Sequence, residues 1–141
     1  MSISINKAGV FIDKALVSAA MGQARSLPPG KHAIFESELF KQKVIPGTII
    51  ADVVVWGDAE KHANESELWI CLEGSAKFIY GGVLDDPWQK DSNTLDTFAK
   101  SITGGTEVIM NPGDVLYIRA GQPHQHGAEK IALLAIIKIP N

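Results

Sequence analysis

With one cysteine, Cys71, in 141 residues, the chain cannot form an internal disulfide. A lone thiol also agrees with a reducing compartment. There is no surplus of basic charge: 13 Lys and Arg stand against 16 Asp and Glu, a formal net charge of -3. That balance gives no electrostatic reason to expect nucleic acid or an anionic membrane as partner. No apolar run reaches the roughly 20 residues of a membrane span. The stretch Met1–Lys7 has no basic region leading into a long apolar run, so no secretory signal is expected and the default compartment is the cytoplasm. Repeats, low-complexity tracts and evident linkers are missing, as are phosphate loops, nucleophile motifs and Cys-rich zinc patterns.

What is present is a chain of one-domain length with 45% hydrophobic residues, enough for a core without staples. From Val10 to Arg25 the apolar residues Phe11, Ala15, Leu16, Ala19 and Ala20 fit one face of a helix, and Asp13 lies where an acid favours its start. Leu27-Pro28-Pro29-Gly30 ends it. Beyond that point the chain reads as strands and turns. Ala33 to Lys43 is mixed, Ile45-Pro46-Gly47 is a turn, and Thr48 to Trp56 is rich in β-branched residues. Leu68–Leu72, Ala76–Tyr80, Glu107–Met110, Val115–Ile118 and Ile131–Ile139 read as further strands, with Asn111-Pro112-Gly113-Asp114 as a turn. Gly81-Gly82 and Gly104-Gly105 read as turns as well. Leu84 to Gly105 is polar and irregular, a long surface loop with a helical turn near Leu95 to Ala99; loops of that length are often functional. The expected fold is mainly β: a small antiparallel β-barrel of jelly-roll type with a short N-terminal helix. Residues 1–30 form the helix and lead-in, and 31–141 form the single barrel domain.

Two clusters carry chemistry. In an extended Glu60-Lys61-His62, alternation puts Glu60 and His62 on one face, and a tight turn returns Glu67 close to it. The second cluster is Gly121-Gln122-Pro123-His124-Gln125-His126. A divalent metal needs three or four N/O donors converging at about 2.0–2.2 Å. Two imidazoles with one or two carboxylates suit Zn, Fe, Mn, Ni or Cu.

At these residues the chain resembles the cupin superfamily. That family's first motif runs H-x-H, three or four residues, E, six residues, G. Here Glu67 and Gly74 match its end, His62 takes the second His slot and Glu60 the first. An alternative register uses His62-Ala63-Asn64 as the H-x-H pair. The second motif, G, five residues, P-x-G-x-x-H, is matched by Gly113, Gly121 and His124, with Arg119 in the proline slot. A narrower resemblance, to the YhcH/YjgK/YiaL family of β-galactosidase β-subunit-like proteins, rests on Leu27–Ile34, on Glu60, His62 and Glu67 running into Leu72-Glu73-Gly74, and on Ile136–Ile139. The run His62-Ala63-Asn64-Glu65-Ser66-Glu67 and the middle loop depart from that pattern. The resemblance implies one divalent metal held by Glu60, His62, Glu67 and His124. It also implies a sugar or sugar-acid substrate and isomerase, epimerase or anomerase activity.

The catalytic candidates are Glu60 or Glu67, depending on which is not a ligand, to move a proton beside a Lewis-acid metal, and Arg119, whose planar fork suits an anionic group. Iron-dependent dioxygenase chemistry and a non-catalytic sugar-binding barrel are the alternatives. His126 is expected around the ligands or at the surface, and His32 in a purely structural place. Asn64 either orients a ligand or caps the turn. Lys138 points into the barrel or guards an edge strand. Trp69, Cys71, Phe78, Tyr80 and Tyr117 are expected to line the interior, with Cys71 an unreactive small hydrophobe. A small-molecule substrate and a homodimer are the expected partners.

Overall fold

The computed structural model describes residues 3–6, 8–12, 14–26, 28, 32–35, 46–52, 55–90 and 95–141. The expectations placed on Asp13, Leu27, Pro29-Gly30, residues 36–43, Ile45 and Asn93-Thr94, and on the His32 side chain, lie outside the described residues. In chain order the elements are β1 (Ile3–Asn6), β2 (Gly9–Ile12), α1 (Lys14–Arg25), β3 (His32–Phe35), β4 (Gly47–Asp52), β5 (Ala59–His62), β6 (Glu65–Gly74) and β7 (Ala76–Tyr80). There follow β8 (Val83–Leu84), β9 (Asp96–Ala99), β10 (Ile102–Thr103), β11 (Thr106–Met110), β12 (Val115–Ile118), β13 (His124–Gly127) and β14 (Ala132–Pro140). Val10 to Ile12, assigned to the helix by apolar spacing, lie instead in β2, which pairs with β1.

Two five-stranded antiparallel sheets make the body, ordered β11-β7-β13-β5-β9 and β12-β6-β14-β4-β3. Their inner faces follow from alternation along each strand. In β6, Glu67, Trp69 and Cys71 are buried while Leu68, Ile70 and Leu72 are only partly covered. Trp69, Phe78, Cys71, Leu134, Ile136, Met110 and Ile118 form the main core. Trp69 meets Phe78 edge-on with ring centroids 5.1 Å apart, and Phe78 stacks on His126 at 5.3 Å. Phe78→Ala should therefore lower unfolding free energy by about 3–5 kcal/mol, measured by urea denaturation. A loss under about 1 kcal/mol would show that this part of the core collapses around the gap.

Tyr117 does not line the interior: it is 51% exposed. The cause is register, because in the edge strand β12 the buried residue is Ile118, leaving Val115 and Tyr117 on the outer face. Lys138 is no edge-strand lysine either, since β14 lies between β6 and β4. Tyr80 packs against the core, and Cys71 is buried with its thiol toward the carbonyls of Glu73 and Gly74. Burial raises the Cys71 pKa, with the Asp114 charge adding to it, which agrees with an unreactive thiol.

The stretch read as a long loop from Leu84 to Gly105 contains the end of β8 and the whole of β9 and β10. β8 and β10 continue the β7–β11 hairpin past a bend where Gly82 and Gly105 both have positive φ. A Cβ on Gly82 would stand 2.6 Å from the Thr103 carbonyl oxygen, so the two glycine pairs face each other across one kinked hairpin rather than reversing the chain twice. The helical turn expected near Leu95 to Ala99 is β9, paired with β5 over its full length. Thr97 and Phe98 suit a strand, and β5 offers an otherwise open edge on that side. Trp88 bridges the far side of β9 through two backbone hydrogen bonds of 2.8 Å with Phe98.

Candidate metal centre

The site is assembled by three strands from both sheets. Alternation in β5 sends Glu60 and His62 inward. The two-residue turn Ala63–Asn64 reverses the chain into β6, which presents Glu67 three residues later. Register then delivers His124, the cross-strand partner of Glu60 in β13. Asn64 is exposed in the turn, and its carbonyl accepts a hydrogen bond from the Asn141 amide. It is Glu60, then, whose side chain shares the site with His62.

Four donor atoms, one each from Glu60, His62, Glu67 and His124, lie within 4.8 Å of one another. His62 Nε2 is 2.9 Å from Glu67 Oε1 and 3.5 Å from Glu60 Oε1. His124 Nε2 is 3.1 Å from Glu67 Oε1 and 3.3 Å from Glu60 Oε1. The imidazoles sit 5.4 Å apart, tilted by 48°. Glu67 and His124 are each 1% exposed, while the Glu60 side chain, 25% exposed, is the most open of the four. His62 Nε2 and Glu67 Oε1 are buried, yet neither is aligned for a hydrogen bond despite their short separation. Buried polar atoms without partners are rare and costly. Donors that converge on a common point instead of on one another fit a cation.

Without an ion, the electrostatics bind the four groups as two ion pairs. Burial works against the charged imidazole of His62, but the Glu60 and Glu67 carboxylates outweigh it and raise its pKa to about 10. For His124 the same balance gives about 9. Burial likewise opposes the carboxylate charges, and the two imidazoles overcome it, holding Glu60 and Glu67 well below the usual carboxylate range.

Further contacts surround the four. Lys138, the cross-strand partner of Glu67, reaches inward with Nζ 3.3 Å from Glu67 Oε2 and 3.2 Å from Glu65 Oε1. Burial disfavours its charge, but the charges of Glu67 and Glu65 prevail and raise its pKa. It holds one oxygen of Glu67 while the other faces the imidazoles. Asp96 Oδ1 lies 2.9 Å from His62 Nδ1. His126 is buried two residues beyond His124 in β13, with Nδ1 2.6 Å from Asp52 Oδ2 and its ring beside Trp69 and Phe78. Arg119 is exposed; its carbonyl accepts from the Gln122 amide in the turn that leads to His124, and Gly121 N donates to His62 O at 2.7 Å.

Sequence reasoning missed Asp96 and Asp52. Asp96 lay in a stretch read as loop, so nothing indicated that it would face His62. Asp52 carried a faint signal, a lone acid inside a run of apolar β formers, and its partner is distant in sequence.

No family model and no curated protein sequence matches the chain. Solved structures do. An ethanolamine utilization protein Q from Salmonella typhimurium LT2 is similar over 99% of this chain and 93% of its own, at 15% identity and a TM-score of 0.55. A hydroquinone 1,2-dioxygenase from Sphingomonas sp. TTNP3, solved with 4-hydroxybenzoate bound, is similar over 98% of this chain and 85% of its own, at 13% identity and a TM-score of 0.55. A second hydroquinone 1,2-dioxygenase, in complex with Cd2+ and 4-hydroxybenzonitrile, is similar over 100% of this chain and 82% of its own, at 14% identity and the same TM-score. At these identities the likeness is one of fold. Among the described residues no helix is long and apolar enough to cross a membrane.

Proposed function

We propose that this chain, which has the cupin fold, is a divalent-metal enzyme acting on a small hydroxylated substrate of the sugar or sugar-acid type. The observation that carries the reading is the convergence of four donor atoms with His62 Nε2 and Glu67 Oε1 buried and unaligned. Glu60, His62, Glu67 and His124 would hold the ion. Bound there, a divalent cation supplies Lewis acidity toward a carbonyl or ring oxygen. Glu60 is the carboxylate placed to move a proton: it is the more open of the two, and among the described residues no lysine holds its second oxygen. Glu67, buried and tied to Lys138, serves as a fixed donor. Arg119, at the exposed start of the turn before His124, would orient an anionic substrate group.

The test is proton exchange. Chelated protein reloaded with Zn, Mn, Fe(II), Ni or Cu is incubated with aldoses, ketoses and uronic acids in deuterated water. Isomerisation or anomer exchange, with deuterium entering wherever a C–H bond is broken, is the expected outcome, and Glu60→Gln should slow it by about 100-fold or more. Sugar binding without turnover under any metal would instead make the barrel a binding module.

A second reading is iron-dependent oxygenation of a hydroxylated aromatic. Two imidazoles and the buried carboxylate of Glu67 form a donor set suited to that chemistry. The hydroquinone dioxygenases that share the fold along nearly the whole chain add to it. Oxygen uptake that depends on Fe(II) and a hydroquinone, with no sugar exchange, would select it.

A further inference from the structure

The His62 imidazole is contacted at both ring nitrogens. Nε2 faces Glu60 and Glu67, and Nδ1 faces Asp96 at 2.9 Å. His62 and Asp96 are direct partners in the β5–β9 ladder, so their side chains leave the same face of the sheet. We propose that Asp96 is a positioning residue of the metal centre, fixing which nitrogen of His62 the ion meets. The inference rests on the reading of the four residues as metal ligands.

Proton placement on the His62 ring is what Asp96 controls. A ligating imidazole offers the lone pair of one nitrogen, and when neutral it carries its proton on the other. A carboxylate at Nδ1 stabilises the N–H there and leaves the Nε2 lone pair pointing at the carboxylates of Glu60 and Glu67. It also fixes the ring plane and increases the ring's basicity toward the ion. His124 shows the same arrangement by other means: its Nδ1 is 3.3 Å from the backbone carbonyl of Gln122. That partner comes with the fold. For His62 the corresponding contact comes from a side chain, and this makes it open to substitution.

The Asp96 side chain is 42% exposed, so its truncation leaves no internal cavity and the fold should survive. The competing explanation is structural: Asp96 merely helps hold β9 against β5. Cobalt(II) separates the two, because its absorption reports affinity and its paramagnetism shifts the Nδ1–H protons of ligating histidines out of the main proton spectrum.

Cobalt(II) is titrated into metal-free wild type, Asp96→Ala and Asp96→Asn. Wild type should show two shifted N–H signals. Asp96→Ala should bind cobalt about 10–100-fold more weakly and lose the His62 signal to exchange with water while keeping that of His124. Asparagine still offers an oxygen to the N–H, so Asp96→Asn should recover most of the affinity and the signal. Equal affinity and both signals in Asp96→Ala would overturn the proposal. So would weakening matched by an equal fall in the melting temperature of the metal-free variant, which is the mark of a purely structural role. If wild type itself takes up no cobalt, the metal reading fails and the role of Asp96 goes with it. That outcome is recognisable before any variant is compared.

Discussion

Protein purified without chelator or affinity nickel is expected to carry close to one divalent ion per chain, and His124→Ala is expected to carry none. Among the four proposed ligands His124 is, with Glu67, the most deeply buried. It is 1% exposed, and its Nε2 lies within 3.3 Å of both carboxylates. Removing the ring takes away a donor and leaves Glu67 buried with one fewer counterpart, which disfavours the ionised form a metal needs. The affinity loss should exceed the roughly 10–100-fold typical of losing an outer partner. His62→Ala should behave alike. Elemental analysis reads the stoichiometry, and circular dichroism confirms that the variants are folded. A folded His124→Ala that keeps its full complement of metal would remove these residues as the site. A wild type devoid of metal after exposure to each candidate ion would move the barrel to the binding-module class.

Metal uptake should also release close to two protons per ion near neutral pH. In the metal-free protein both imidazoles are charged there, with pKa values raised to about 10 for His62 and about 9 for His124. Each must become neutral to ligate. Affinity should therefore climb by up to about 100-fold per pH unit around pH 7 and level off at alkaline pH, where no protons remain to displace. Calorimetry in buffers of different ionisation enthalpy counts the protons directly. Stability of the metal-free protein should run the opposite way on the alkaline side. Both His pKa values are raised on folding, so that contribution is complete below about pH 6.5 and is lost as pH climbs through about 9 and 10. The carboxylate pKa values are depressed, so theirs is present above the ordinary carboxylate range, near 4.5, and fades as pH falls below it. The metal-free melting temperature should peak between these limits. A profile flat from pH 6 to pH 10, or uptake without proton release, would contradict the paired arrangement.

How much of this was legible beforehand depends on whether the information was local. Glu60, His62 and Glu67 are close in sequence, and a period of two with one tight turn is enough to bring them together. His124 came instead through the resemblance to the second cupin motif, carried by Gly113, Gly121 and the imidazole. Strand pairing across long separations was not legible. β9 is a strand because β5 has a free edge, not because Asp96-Thr97-Phe98-Ala99 announces one, and without β9 there was no way to see Asp96 beside His62. Tyr117 failed for a related reason. Its strand alternates as expected, but which parity faces inward depends on the neighbouring register with β6, where Tyr117 pairs with Leu68 on the outer face. Lys138 stays open between two places on sequence alone, and only the strand order decides it.

The distribution of the donors over the fold has a mechanical consequence. β5 and β13 belong to one sheet and β6 to the other, so an ion held by all four side chains is a clasp between the two halves of the barrel. Its departure would be felt as breathing. Amide exchange in β5, β6 and β13 should quicken together, while β3, attached at the far edge of its sheet, keeps its own pace. A barrel that opens along the seam through which its ligands meet would couple retention of the ion to the integrity of the whole fold.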